Sequence, residues 1–166
     1  MAETPHTVLV TSEGPPHIVW RTPQLAELAL ARVPELAEVS NLDTAAPGVP
    51  SDFLVLTPNA VPISIVARGY SSRKCKIEPA IVPVLEWKAD AKLILAATRS
   101  RDPVVMFLFD ADRDHGRYLR LDTLPEPADG AKTVVLSFPV ENTISGDSIR
   151  ALAEELAKER AVPVAG

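Results

Sequence analysis

Cysteine is nearly missing from this chain, with Cys75 alone among 166 residues. An internal disulfide and a cysteine-built zinc site are therefore excluded. Histidine is scarce too (His6, His17, His115), and no Gly-x-Ser-x-Gly elbow occurs, which leaves serine-based catalysis without its parts. The 7 glycines nowhere cluster into a phosphate-cradling loop. No window approaches the roughly 18 apolar residues that a membrane-spanning helix requires. The first residues are acidic and proline-containing, without a basic stretch followed by an apolar one, so no secretory signal is expected. Excess positive charge is also lacking. At a net charge of −5 no global field draws nucleic acid, and DNA binding would need a local basic face.

What remains is the composition of a soluble globular protein, 46% hydrophobic and 23% charged. The length suits one domain with a sizeable core, expected to be cytoplasmic and prokaryotic. The 16 prolines fall between periodic segments and punctuate the fold.

Val8-Leu9-Val10 and Ile18-Val19-Trp20, separated by a Gly-Pro-Pro stretch, predict an N-terminal hairpin over 1–21. Thr22-Pro23 reads as a helix start, and Leu25, Leu28, Ala29 and Val33 give that helix a buried face. Pro34 ends it or begins a second short piece, and 41–50 is a polar loop. Strands are expected at 52–57 and 62–68, then a basic segment at 71–76. The proline-containing 77–84 predicts an edge strand or extended connection. The alanine-rich 85–100 predicts a helix with Trp87, Ala91, Ile94 and Leu95 as its stripe. Val104 to Phe109 is nearly continuous apolar, as expected of a central strand covered on both faces. Strands are also expected near 118–121 and 134–138, and a last helix carries Ile149, Leu152, Ala153 and Leu156, capped by Ser145 or Asp147. The alternation predicts an α/β fold with a mixed central sheet flanked by helices, the core running over 22–160.

Asp52 opens the first strand of the 52–68 pair, and Arg68 closes the second. A divalent ion needs two or three converging oxygens, with a nearby cation to orient the attacking water. Asp52 supplies one carboxylate, and Glu27 on the first helix is the nearest candidate for another. Val66 stands where a second ligand belongs and cannot bind a cation. Arg68 cannot act as a base but can contact phosphate. The plain reading makes Asp52 a strand-initiating loop residue and Arg68 a surface cation.

Glu86-Trp87-Lys88 is a second acid-x-lysine pair. In a predicted helical turn its two ends diverge, and the plain reading is a solvated first turn. Asp110-Ala111-Asp112-Arg113-Asp114-His115-Gly116 resembles a calcium loop, but His115 and Leu121 occupy the positions of the required glycine and glutamate. A polar hairpin tip is expected there. Arg68, Tyr70, Arg73, Lys74 and Lys76 form the best nucleic-acid candidate, cations for phosphates and tyrosine for stacking; the plain reading is a solvated loop. The same cations beside Cys75 would favour its thiolate, or Cys75 is an ordinary thiol.

The order of pieces from Glu27 and Asp52, through Val66-Ala67-Arg68 and Pro103-Val104-Val105 to Asp110, resembles a family of prokaryotic domains of unknown function with a restriction-endonuclease-like fold of the PD-(D/E)XK type. Thr133-Val134-Val135 through Pro139 and Asn142, followed by 148–156, continues the likeness over about 110 residues. The family shows glutamine-x-lysine where this chain has Val66-Ala67-Arg68. The resemblance thus implies a nuclease-like domain with a degraded site, binding nucleic acid or a protein partner in a mobile-element or defence setting. Asp52, Arg68 and Glu27 would be catalytic remnants, and no cofactor is expected. Two alternatives stay open: a working magnesium-dependent endonuclease drawing a ligand from Glu86 or Glu78, and a self-associating structural subunit.

Overall fold

The protein, seen here as a computed structural model, is described over residues 6–10, 17–41, 52–59 and 61–161. In chain order the elements are β1 (Thr7–Val10), α1 (His17–Ala31), β2 (Ala37–Asn41), β3 (Phe53–Leu56), β4 (Pro62–Tyr70), α2 (Ser72–Cys75), β5 (Val84–Asp90), α3 (Ala91–Thr98), β6 (Val104–Asp110), β7 (Gly116–Arg120), β8 (Thr133–Pro139) and α4 (Gly146–Ala161). Every residue of β6 is buried, as its unbroken apolar run requires. It pairs parallel with β4 and antiparallel with β7, at the heart of a five-stranded sheet ordered β2-β3-β4-β6-β7.

Alternation along the strands divides the core in two. Ile63, Ile65 and Ala67 of β4 and Val105, Phe107 and Phe109 of β6 meet Leu25, Ala26, Ala29 and Leu30 of α1 and Ile149, Ala153 and Leu156 of α4. The opposite face carries Val66, Tyr70, Val104, Met106 and Leu108. It meets α3 and a second, three-stranded sheet ordered β1-β5-β8. The fold is thus α/β with mixed sheets flanked by helices. The expectation of one central sheet is corrected to two.

Of the second sheet's three strands, β8 lies where a strand was expected, β1 was expected to pair in a hairpin, and β5 was expected to be helical. Thr7–Val10 does not form a hairpin with 18–20: it pairs parallel with β5, and residues 17–20 begin α1. The expected turn at 12–16, like the loop at 42–50, lies outside the described residues. Pro23 sits inside α1 rather than starting it, at the cost of one intrahelical hydrogen bond. Leu28 is exposed, and the buried stripe runs through Leu25, Ala26, Ala29, Leu30 and Val33. The predicted helix at 85–100 is a strand and then a helix. Leu85, Trp87 and Ala89 point inward with period two. Asp90 ends the strand and caps α3 by accepting a hydrogen bond from the Lys92 N–H at 2.9 Å.

The expected last helix is present. Ser145 Oγ accepts from the Ser148 N–H and Ser148 Oγ accepts from the Ser145 N–H, a reciprocal cap that fixes where α4 starts. Gly116 opens β7 because a Cβ there would stand 2.6 Å from the Phe109 ring.

Arg117 joins the sheets. It is fully buried although it lies on β7. Its Nη2 donates to the carbonyls of Pro79 and Val82, both at 2.6 Å, and its Nη1 to that of Phe138 at 2.9 Å. Those carbonyls belong to the chain entering β5 and to β8. Replacing Arg117 with alanine strands them in the interior, so Arg117→Ala should lower stability by about 3–5 kcal/mol in urea unfolding. Arg117→Lys, with three donors and no planar fork, should recover less than half of that loss. A cost below about 1 kcal/mol would show that the sheets hold together without this contact.

Candidate functional site

Strands β3 and β4 pair antiparallel with Phe53 opposite Ile65, so Asp52 arrives beside Val66. Asp52 donates its backbone N–H to Ile65 O at 2.8 Å. Its carboxylate Oδ2 accepts from the Ala67 N–H at 2.8 Å and from Arg68 Nη1 at 3.1 Å. Arg68 Nη1 also donates to Ala67 O at 2.8 Å. Both side chains are roughly half exposed, so the ion pair contributes about 0–1 kcal/mol. Val66 is fully buried in the layer between the sheets.

This arrangement does not fit a divalent ion. One Asp52 oxygen already faces an N–H and a guanidinium, and the neighbouring position presents apolar carbon. Glu27 is exposed on α1, a helix that packs on the Ile63, Ile65 and Ala67 face of β4, whereas Val66 enters the other layer. Among the described residues no three His, Cys, Asp or Glu side chains gather into a metal-holding group.

Glu86 and Lys88 stand differently from expectation. They lie on β5, two apart on one strand face, the geometry an acid-x-lysine motif needs. That face is turned away from the core, since Leu85, Trp87 and Ala89 take the inward positions. Glu78 forms an ion pair with Arg113. The alternation of Val84 to Asp90 was the readable signal for the strand, hidden by the alanines that follow.

The 110–116 segment is the expected hairpin tip between β6 and β7, but its first residue is not solvated. Asp110 is fully buried, and its Oδ1 accepts from the Ser72 and Asp112 N–H groups, each at 3.0 Å. Asp112 Oδ2 accepts from Ser71 Oγ and from the Arg73 N–H at 3.2 Å. Asp114, at φ 55°, pairs with Arg21 at 2.5 Å.

These carboxylates shape the basic segment. Ser71 Oγ accepts the Lys74 N–H as the cap of α2, and Lys76 ends it in a left-handed conformation. Arg73, Lys74 and Lys76 are exposed, and Cys75 is half-buried against the core. Tyr70 must be corrected. It is fully buried, so it cannot stack on a base. Burial pushes its hydroxyl pKa well up, with the Asp110 charge adding and Arg117 opposing.

Sequence reasoning missed Arg117, although Arg117, Leu119 and Leu121 alternate on one strand face, and a cation on an apolar face signals a buried partner. A groove of about 520 Å³ between α4 and the β3–β4 turn, lined by Val33, Leu36, Pro58, Ala153 and Ala157 among others, holds none of the candidate site residues named from the sequence. No family model matches the chain, and no curated protein matches it.

His115 Nε2 accepts a hydrogen bond from Arg117 Nε at 3.2 Å. Burial, and then the Arg117 charge, lower its pKa below 6.5, against the opposing pull of Asp110 and Glu78. The unfolded chain therefore binds the proton more readily. The neutral-histidine contribution is full above pH 6.5 and is lost as pH falls through the lowered folded value. Unfolding free energy should drop as pH falls below about 6.5, and His115→Gln, which keeps an acceptor without titrating, should flatten that slope. An unchanged slope in the variant would remove His115 as its source.

Proposed function

We propose that this chain is a nuclease-like domain, with the restriction-endonuclease-like arrangement its motif order resembles, that binds nucleic acid and does not cut it. The observation carrying the reading is the Asp52 carboxylate, engaged by the Ala67 N–H and Arg68 beside a buried Val66. A cleaving site would need that corner open to a cation and a water. Support for the lineage comes from the succession of α1, an Asp-led strand antiparallel to the next, and the parallel strand ending in Asp110.

Support for nucleic acid comes from the turn after β4. Arg73, Lys74 and Lys76 present three exposed cations on a capped turn, with half-exposed Arg68 on the preceding strand. Of the nearby carboxylates, Glu78 pairs with Arg113 and Asp114 with Arg21, Asp110 is buried, and Asp112 lies against the turn, accepting from Ser71 Oγ and the Arg73 N–H. Three cations against the one carboxylate of Asp112 leave the turn with a net positive charge.

Fluorescence anisotropy with short single- and double-stranded DNA tests this. Binding should be present at low salt and weaken as salt rises. Arg73→Ala with Lys74→Ala should lower affinity about tenfold or more and flatten the salt dependence by up to about 0.9 log units per lost phosphate contact. Undetectable binding at low ionic strength would remove the nucleic-acid reading. Cleavage in magnesium or manganese that disappears in Asp52→Ala would replace it with a working endonuclease.

A further inference from the structure

We propose that Tyr70, Ser72 and Asp110 enclose a binding site for one ordered water molecule beneath the 71–76 turn. Tyr70 Oη, Ser72 Oγ and Asp110 Oδ2 are each buried from solvent and have no hydrogen-bond partner among the described residues. All three residues are fully buried. They also share one corner of the fold. Tyr70 stands opposite Asp110 in the parallel β4–β6 register, and Ser72 donates its backbone N–H to the other oxygen of the same carboxylate.

Interior polar atoms rarely stay unpaired, because each gave up its hydration on folding. Three orphans in one corner call for a common partner. The chemistry of that partner follows from what each can do. Ionised Asp110 Oδ2 only accepts, while the two hydroxyls both donate and accept. The guest must donate to the carboxylate and exchange bonds with the hydroxyls, which one water does with its two donors and two acceptor sites.

Charge selects water over a cation. The buried charges there are already one carboxylate, Asp110, and one guanidinium, Arg117. Tyr70 feels both Asp110 and Arg117, as does His115, so a monovalent cation would leave the interior with a net positive charge. The site lies beyond the Asp52 pair and does not depend on nucleic-acid binding. It ties α2, through Ser72, to the carboxyl ends of β4 and β6.

Crystals diffracting to about 1.5 Å should show one density peak at hydrogen-bonding distance, about 2.6–3.2 Å, from Asp110 Oδ2 and at least one hydroxyl. Rubidium-soaked crystals should show no anomalous signal there, and an anomalous peak would make the guest a cation and overturn the proposal. Direct contact of Tyr70 Oη or Ser72 Oγ with Asp110 Oδ2, with no peak between them, would overturn it as well. In solution, the amide protons of Ser72 and Asp112 should show cross-relaxation with a long-lived water. That signal should persist in an unrelated surface variant such as Lys132→Ala and disappear in Tyr70→Phe with Ser72→Ala. Its persistence in the double variant would count against the site.

Discussion

A guanidinium buried between two sheets governs how this protein is put together. Apolar contact holds layers together but does not fix where one slides on the other, because the hydrophobic effect has no direction. Arg117 supplies direction. Its planar fork reaches from β7 to the carbonyls of Pro79, Val82 and Phe138, and the Nε donates to His115. A lysine could not meet that many acceptors in one plane. The carbonyls belong to the turn before β5 and to β8, so both long strands of the smaller sheet are positioned by one side chain of the larger. Among the described residues no carboxylate pairs with this cation, and the buried carboxylate nearby, Asp110, takes backbone N–H groups instead. Main-chain dipoles meet both Nη groups of Arg117 and one oxygen of Asp110.

The Asp52–Arg68 pair uses the same two chemical groups to a different end. It sits at the margin of β3 and β4, half exposed, where water screens it and its contribution to stability is small. Its consequence is for chemistry. A carboxylate oxygen that accepts from a fixed amide and a fixed guanidinium is a poor lone-pair donor to a metal, and the adjacent valine adds none. The backbone around the pair is a strand hairpin with a parallel strand, β6, beside it, so what keeps a metal from this corner is its side chains.

Much of this was legible in the sequence, for identifiable reasons. The 52–68 hairpin, the fully covered β6 and the last helix each carry a pattern strong enough to override context: an aspartate and a Pro-Asn turn, an unbroken apolar run, and an apolar stripe with a serine cap. The adjacency of Asp52 and Arg68 followed from the hairpin. The second sheet did not follow. β1 pairs with β5 across more than seventy positions of chain, and short apolar runs look alike whether they join a neighbour or a distant strand. Val84 to Asp90 was obscured by the alanines of α3. Tyr70 was misplaced because cations on both sides suggested a surface, whereas strand alternation sends 66 and 70 to the same buried layer.

The basic turn shows how an acidic chain can present a positive edge, and what limits that edge. Four residues are too few for a helix to stand by itself. α2 exists because Ser71 Oγ, Asp110 Oδ1 and Asp112 Oδ2 take up its N–H groups. The carboxylates beneath Arg73, Lys74 and Lys76 are therefore structural supports of those cations. They cannot be exchanged for neutral residues to sharpen the field without releasing the turn that aims it. On the binding reading, this caps the attraction that the turn can exert on a phosphate backbone. Contact through it alone would be weak and sensitive to salt, and tight binding would require a second surface on the same ligand.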